Sequence, residues 1–349
     1  MRWPGLPSRT PIGIDIGGQY IKAAQLGRNS HGWCMRASAC VPRAGGDDPI
    51  DAGEVRRLCG VLYRQGFALN KAVVAVPPEK LLHGMLDLPP AKSGAPLGQI
   101  ARMELARMHG CDPQAFEMAC WELPPSARSK GLSQVLATAC RHGDADALLD
   151  VLEEGGLDVR ALDTHARALV RACTPLLAPD GGIVGILDVG WNSCHLIVVK
   201  ERVIIYERAL PEAGCRHLAK TFAEHLHLET RDWELLLLET PSQTAPPDAP
   251  ELFREVGALA WAHFEGLLED LQVTFSYAME MYPGAPVERL LLAGGGASIR
   301  GLGVKLASAL GVETRVVSPT DLVECPAPVP NNPSASGLTA AVGLAQLED

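Results

Sequence analysis

The chain contains no Cys-x-x-Cys pair, although ten cysteines are spread through its 349 residues from Cys34 to Cys325. Dispersed thiols in a long chain argue against a disulfide framework. They read as small hydrophobes in a reducing compartment. His225 and His227 form a tight pair, but no carboxylate or Cys cluster stands at ligand spacing beside them, so a zinc site is not expected. The longest apolar runs, residues 183–187 and 235–238, fall far short of the roughly 20 residues of a membrane helix. The opening MRWPGLPSRTP lacks the apolar core of a signal peptide. A soluble, cytoplasmic protein is expected. Basic residues are in deficit, with a formal net charge of −10. That balance argues against non-specific nucleic-acid binding and against a broad basic face for anionic lipid.

Two common nucleotide motifs are also missing. The dinucleotide fingerprint would need glycine where Ile299 stands, and the P-loop would need lysine where Leu302 follows Gly301.

What is present is enough apolar residue, 47%, for sizeable cores in two or three domains. The chain opens with a strand, residues 12–16, a Gly-Gly turn, and a second strand, residues 20–26, which is a hairpin signal. A third strand is expected over 32–41, a helix over 52–65, and a buried strand over 71–76. The order β-β-β-α-β implies a mixed sheet with helical cover. From 77 to 159 prolines punctuate the chain. This stretch reads as a small α+β insert, with helices over 97–108 and 144–154 and strands over 117–123 and 132–140. The opening pattern then returns: Asp188-Val-Gly190 matches Asp15-Ile-Gly17 roughly 170 residues later, which points to duplicated domains. Helices are expected over 214–225 and 250–281, with a Pro-rich loop, 241–250, between them.

A Gly-rich hairpin turn lets backbone N–H groups approach a phosphate, and a carboxylate at the strand end can hold a water on Mg²⁺. As a matched pair, Asp15 and Asp188 would face each other across a cleft and share one Mg²⁺–phosphate group. Gly294-Gly295-Gly296 ends a strand and leads to a helix over 301–310, a turn that admits a flat or anionic group. A small-residue helix over 336–347 is expected to pack on a sheet.

Together these segments resemble the actin-like ATPase superfamily, and within it the PilM family of type IV pilus assembly proteins, relatives of the cell-division protein FtsA. Residues 13–22 look like the phosphate-1 loop, 188–196 like phosphate-2, 292–302 like the adenosine loop, and 341–345 like the closing helix. The helix beginning Gln99-Ile-Ala-Arg-Met-Glu104 fits the family's extra subdomain. The resemblance implies an α/β fold of two duplicated lobes. Residues 1–76, closed by the terminal helix 336–349, would form the first subdomain, 77–159 the insert, and 160–335 the second lobe. It implies ATP and Mg²⁺ as ligands. Nucleotide contacts would come from Gly17, Gly18, Gln19, Lys22, Gly190, Asn192, Ser193, Glu234, Gly294, Gly295 and Gly296, and the metal would sit at Asp15 and Asp188. The implied partner is the N-terminal tail of a PilN-like bitopic membrane protein, which would recruit the chain to the inner membrane.

Departures from the family pattern bear on activity. Gln19 and Tyr20 replace small hydroxyl residues, Trp191 stands where a small residue is usual, and Leu237 occupies the place of a lysine. A scaffold with a degenerate cleft is therefore an alternative, as is a sugar- or acetate-kinase-like enzyme of the same fold. No Asp-rich motif announces a kinase's general base, and hydrolysis is expected to be very slow at most.

Overall fold

The computed structural model describes residues 9–30, 32–68, 71–129, 131–179, 181–227, 251–326 and 335–347. These residues build three sheets. The first contains β1 (Ile12–Ile16), β2 (Tyr20–Asn29), β3 (Gly32–Pro42), β4 (Lys71–Val76) and β8 (Asp158–Thr164), in the order β3-β2-β1-β4-β8. The second contains β9 (Ile183–Val189), β10 (Cys194–Lys200), β11 (Val203–Leu210), β12 (Val287–Ala293) and β13 (Glu313–Val316), in the order β11-β10-β9-β12-β13. The two orders are the same pattern. In each, the first strand forms an antiparallel hairpin with the second and pairs in parallel with the fourth. The two Asp-bearing hairpins therefore occupy equivalent places in two related sheets.

Continuous apolar runs explain the central strands. Every residue of β9 is buried except Asp188, which is half-buried at its carboxyl end. The long helix α6 (Glu251–Met281) crosses this strand closely. A methyl group built on Gly185 would fall 2.7 Å from Phe275 Cζ. In the first sheet the corresponding backing is the terminal helix α9 (Thr339–Ala345), every residue of which is buried. It approaches β1 at Gly13, where a built methyl group would lie 2.1 Å from Ala341 O. It approaches α4 (His165–Ala172) at Gly343, where the same test gives 1.8 Å to Ala168 O. Helices α1 (Ala52–Arg64) and α3 (His142–Glu154) cover part of the first sheet, and Val55 packs against Gly155.

The third sheet, in the order β5-β7-β6, joins β5 (Leu81–Leu88), β6 (Phe116–Glu122) and β7 (Ser133–Arg141). Helix α2 (Leu97–His109) covers one face with Ala101, Leu105 and Ala106. The other face turns to the second lobe. Trp121 Nε1 donates to Ile204 O at 3.0 Å, and Leu123 and Leu136 enter the core shared with Ile186, Val199 and Ile204. Strand β5, flanked by prolines, carried no sequence expectation. Nor did β8, which runs across the expected boundary at 159/160 and pairs in parallel with β4 of the first sheet. The terminal helix is shorter than the expected 336–347, because Ser336–Leu338 is a 3₁₀ turn. No helix among the described residues is long and apolar enough to cross a membrane.

Candidate functional site

The two hairpin turns converge at the carboxyl ends of β1 and β9. In the first, Gly17 N–H donates to Tyr20 O at 3.0 Å and closes the turn. In the second, Gly190 N–H donates to Ser193 O at 3.1 Å. Arg43 ties down the first turn: its N–H donates to Gln19 O at 2.7 Å, its Nη1 donates to Gly17 O at 3.1 Å, and its Nε pairs with buried Glu54 at 2.9 Å.

Asp15 and Asp188 face one imidazole. His165 Nε2 stands 3.9 Å from Asp15 Oδ1 and 3.7 Å from Asp188 Oδ2. His165 is the first residue of α4, fixed there by Thr164, whose hydroxyl accepts the Arg167 N–H at 3.2 Å. Lys22, cross-strand from Asp15 on β2, places Nζ 3.1 Å from Asp15 Oδ2. The two carboxylates are not equivalent. Burial acts to raise the Asp15 pKa, but Lys22 and His165 together hold it below the ordinary carboxylate value. Burial raises the pKa of Asp188, and His165 and Lys22 only partly offset this. Lys22 is itself held above its ordinary value, because Asp15 and Asp188 outweigh its burial.

Among the described residues, no hydrogen bond reaches the Asp188 carboxylate; His165 Nε2 stands 3.7 Å away, and Lys22 and Asp15 also act on it electrostatically. A buried carboxylate in that state fits a hydrated divalent cation, which would draw it into the ionised form. Asp15 and Asp188 have the donor type and the placement for this role.

The Gly294–Gly296 turn lies beside the second carboxylate. Two of its glycines leave no room for a side chain, and Gly294 also takes a positive φ of 83°. A methyl group on Gly294 would fall 2.4 Å from Asp188 Oδ1, and one on Gly296 would fall 2.5 Å from Val189 Cγ1. A methyl on Gly295 would meet nothing within 4 Å, so this residue presents open space. A methyl on Gly337 would lie 3.5 Å from Gly295 N and 3.6 Å from Lys22 Cε. The triple-glycine turn thus approaches the Lys22 side through the start of the terminal helix. Ser336 fastens that approach: its hydroxyl donates to Gly294 O at 2.6 Å, and its carbonyl accepts the Gly294 N–H at 3.1 Å. The turn itself is a short 3₁₀ segment, Gly295–Ser298, and α7 (Leu302–Leu310) begins after it.

The gap between the hairpin turns is narrow. A methyl group on Gly18 would lie 2.6 Å from Trp191 Cδ1, 2.9 Å from Asp47 Oδ1 and 3.0 Å from Asn192 Nδ2. The indole of the second hairpin therefore rests on the turn of the first. Glu234 and Leu237 lie outside the described residues.

Several residues of the site gave no sequence signal. His165 follows a strand that mixes polar and apolar residues without clean alternation, and only its placement in space joins it to Asp15 and Asp188. Behind it, His195 stacks on His165 with ring centroids 6.2 Å apart. Burial, with His165 beside it, pushes His195 down to about 4. The side chain of Glu207 on β11 is buried and meets His83 of the insert. Arg216 and Asp47, one from each lobe, join at 3.2 Å across the mouth of the cleft.

A family model described as type IV pilus assembly protein PilM matches residues 13–347. Among solved structures, a PilM–PilN type IV pilus biogenesis complex superposes with a TM-score of 0.76 at 19% identity, covering 96% of this chain and 97% of that one. The ethanolamine utilization protein EutJ from Carboxydothermus hydrogenoformans gives 0.51 at 16% identity over 98% of this chain and 90% of its own. MreB5 of Spiroplasma citri bound to AMPPNP gives 0.51 at 12% identity over 97% and 95%. The fold is that of the actin-like ATPases.

Proposed function

Because the chain belongs to the PilM family of type IV pilus assembly proteins, we propose that it is a cytoplasmic assembly component that binds ATP with Mg²⁺ between its lobes and captures the N-terminal tail of a PilN-like inner-membrane protein. The observation that carries the nucleotide half is the convergence of Asp15 and Asp188, from two equivalent hairpins, on His165 Nε2. The MreB5 structure was solved with AMPPNP bound, and its likeness to this fold supports nucleotide binding here.

In this reading Asp15 and Asp188 hold the metal through its waters, and the metal supplies charge neutralisation for the phosphates. The turns of residues 17–19 and 190–193 line the phosphate path, with Lys22 as its buried cation. Gly295 leaves room for the base. Calorimetry tests this with ATP–Mg²⁺ against the parent, Asp188→Asn and Gly295→Val. Binding to the parent that both variants weaken supports the placement. Equal affinity in all three would refute it.

The partner half rests on the family and on the likeness to the PilM–PilN complex. A tail that orders on binding should bind with moderate, roughly micromolar affinity. The insert is the proposed groove. Its strand β6 pairs only with β7 among the described residues, and an open strand edge accepts an extended peptide. A pull-down with the tail of a PilN-like protein, blocked by bulky labelling of exposed Cys120 on β6, is the expected result. Undiminished capture by the labelled protein would put the groove elsewhere.

A second reading, a scaffold whose cleft takes no nucleotide, is favoured by one observation: Trp191 rests on Gly18 where the phosphates would pass. Partner capture without measurable ATP binding would select it.

A further inference from the structure

Arg216 lies in the first turn of α5 (Cys215–Leu226), and that turn is bolted to the second hairpin. Its N–H donates to Trp191 O at 2.9 Å, and the Cys215 N–H donates to Gly190 O at 3.0 Å. There is no slack between them, since a methyl group on Gly214 would lie 2.7 Å from Trp191 O. From this fixed base the side chain crosses to the other lobe, where Nη1 donates to Asp47 Oδ2 at 3.2 Å. The second oxygen of Asp47 lies beside Gly18, 2.9 Å from a methyl group built there. The guanidinium therefore spans the mouth of the gap between the two phosphate turns.

Three cations stand at these turns, and they differ in how firmly they are engaged. Lys22 is buried against Asp15, and Arg43 is buried against Glu54. The side chains of Arg216 and Asp47 are 55% and 40% exposed. An exposed pair of this kind contributes little to stability, so exchanging its partner costs little. A guanidinium binds phosphate oxygens in a bidentate fork, and a terminal phosphate carries more charge than one carboxylate.

We infer that Arg216 is a specificity-determining residue of the cleft, releasing Asp47 to grip the terminal phosphate of a nucleoside triphosphate. This rests on the nucleotide reading above. A diphosphate lacks the group at the mouth and leaves Arg216 on Asp47.

The test is calorimetric titration of ATP–Mg²⁺ and ADP–Mg²⁺ into the parent, Arg216→Ala and Asp47→Asn. In Arg216→Ala, ATP affinity should fall about tenfold while ADP affinity stays within about twofold. Asp47→Asn frees the guanidinium and should raise the preference for ATP over ADP. It gives a second measure should the arginine variant fold poorly. An ATP-to-ADP preference unmoved in both variants overturns the inference and leaves the nucleotide reading standing. A parent that binds neither nucleotide overturns both.

Discussion

Trp191 Cδ1 lies only 2.6 Å from where a methyl group on Gly18 would sit, so the tips of the two related hairpins touch through one indole. Glycine is needed at residue 18 for space alone, since positive φ at this turn is not required. The contact both joins the lobes and narrows the path between them. Stability and ligand access are therefore opposed at a single pair of residues.

Gly18→Ala should destabilise the protein by about 1–3 kcal/mol, the usual cost of overpacking. Trp191→Ser should relieve part of that penalty when combined with it, since Asp47 Oδ1 and Asn192 Nδ2 also crowd the added carbon, and, alone, should tighten ATP–Mg²⁺ binding by about three- to tenfold. Urea unfolding of the two single variants and the double variant reads the first effect. Additive losses in the double variant would show that the indole is not what the new methyl group meets.

Gly343→Ala should cost about 3 kcal/mol or more, because the added carbon would fall 1.8 Å from Ala168 O and would force α9 off α4. Gly266→Ala in the long helix provides the contrast. Nothing lies within 4 Å of its built carbon, so it should gain up to about 1 kcal/mol in helix propensity. Thermal unfolding of both should move in opposite directions. A neutral Gly343→Ala would mean that the terminal helix is not seated where the structure puts it.

These glycines mark where sequence reading succeeds and where it stops. The hairpins at Asp15 and Asp188 were legible because apolar strands, an acidic end and a Gly turn recur in the same order, and the sheets repeat that order. The triple glycine was legible as a close approach, but only the structure separates Gly294 and Gly296, which pack on Asp188 and Val189, from Gly295, which faces open space. Strand β8, Asp-Val-Arg-Ala-Leu-Asp-Thr, has four polar positions in seven, and its state is set by parallel pairing with β4. His165 follows directly from that hidden strand. Its two carboxylate neighbours are distant in sequence, so no local pattern could assign it.

Stability should decline as the pH falls below neutrality, in part through His195. Its burial lowers the folded-state value from 6.5 to about 4, so the folded protein refuses a proton that the unfolded chain accepts. The loss begins near pH 6.5, grows until about pH 4, and then levels off, reaching about 3 kcal/mol from this group. His195→Gln should lose less stability over that window than the parent. Urea unfolding at pH 7, 5.5 and 4.5 measures the difference. A parent-to-variant gap that stays constant across the three would rule out His195 as a source of the acid sensitivity.

Hydrolysis of ATP should be no faster than about one turnover per minute, against a typical enzyme median of about 10 per second. That gap corresponds to roughly 4 kcal/mol of barrier. Phosphoryl transfer to water depends on a positioned nucleophile and on charges held ready for the transition state. Here Lys22 is committed to Asp15, and His165 contacts both carboxylates at 3.7–3.9 Å. Trp191 occupies the approach at Gly18. Trp191→Ser should improve binding without bringing turnover near the median, since the indole obstructs the path but its removal adds no group that activates water. Phosphate release under saturating ATP–Mg²⁺ decides the matter. Steady hydrolysis near the median in the parent, abolished by Asp188→Ala, would show that these residues form a competent catalytic site after all.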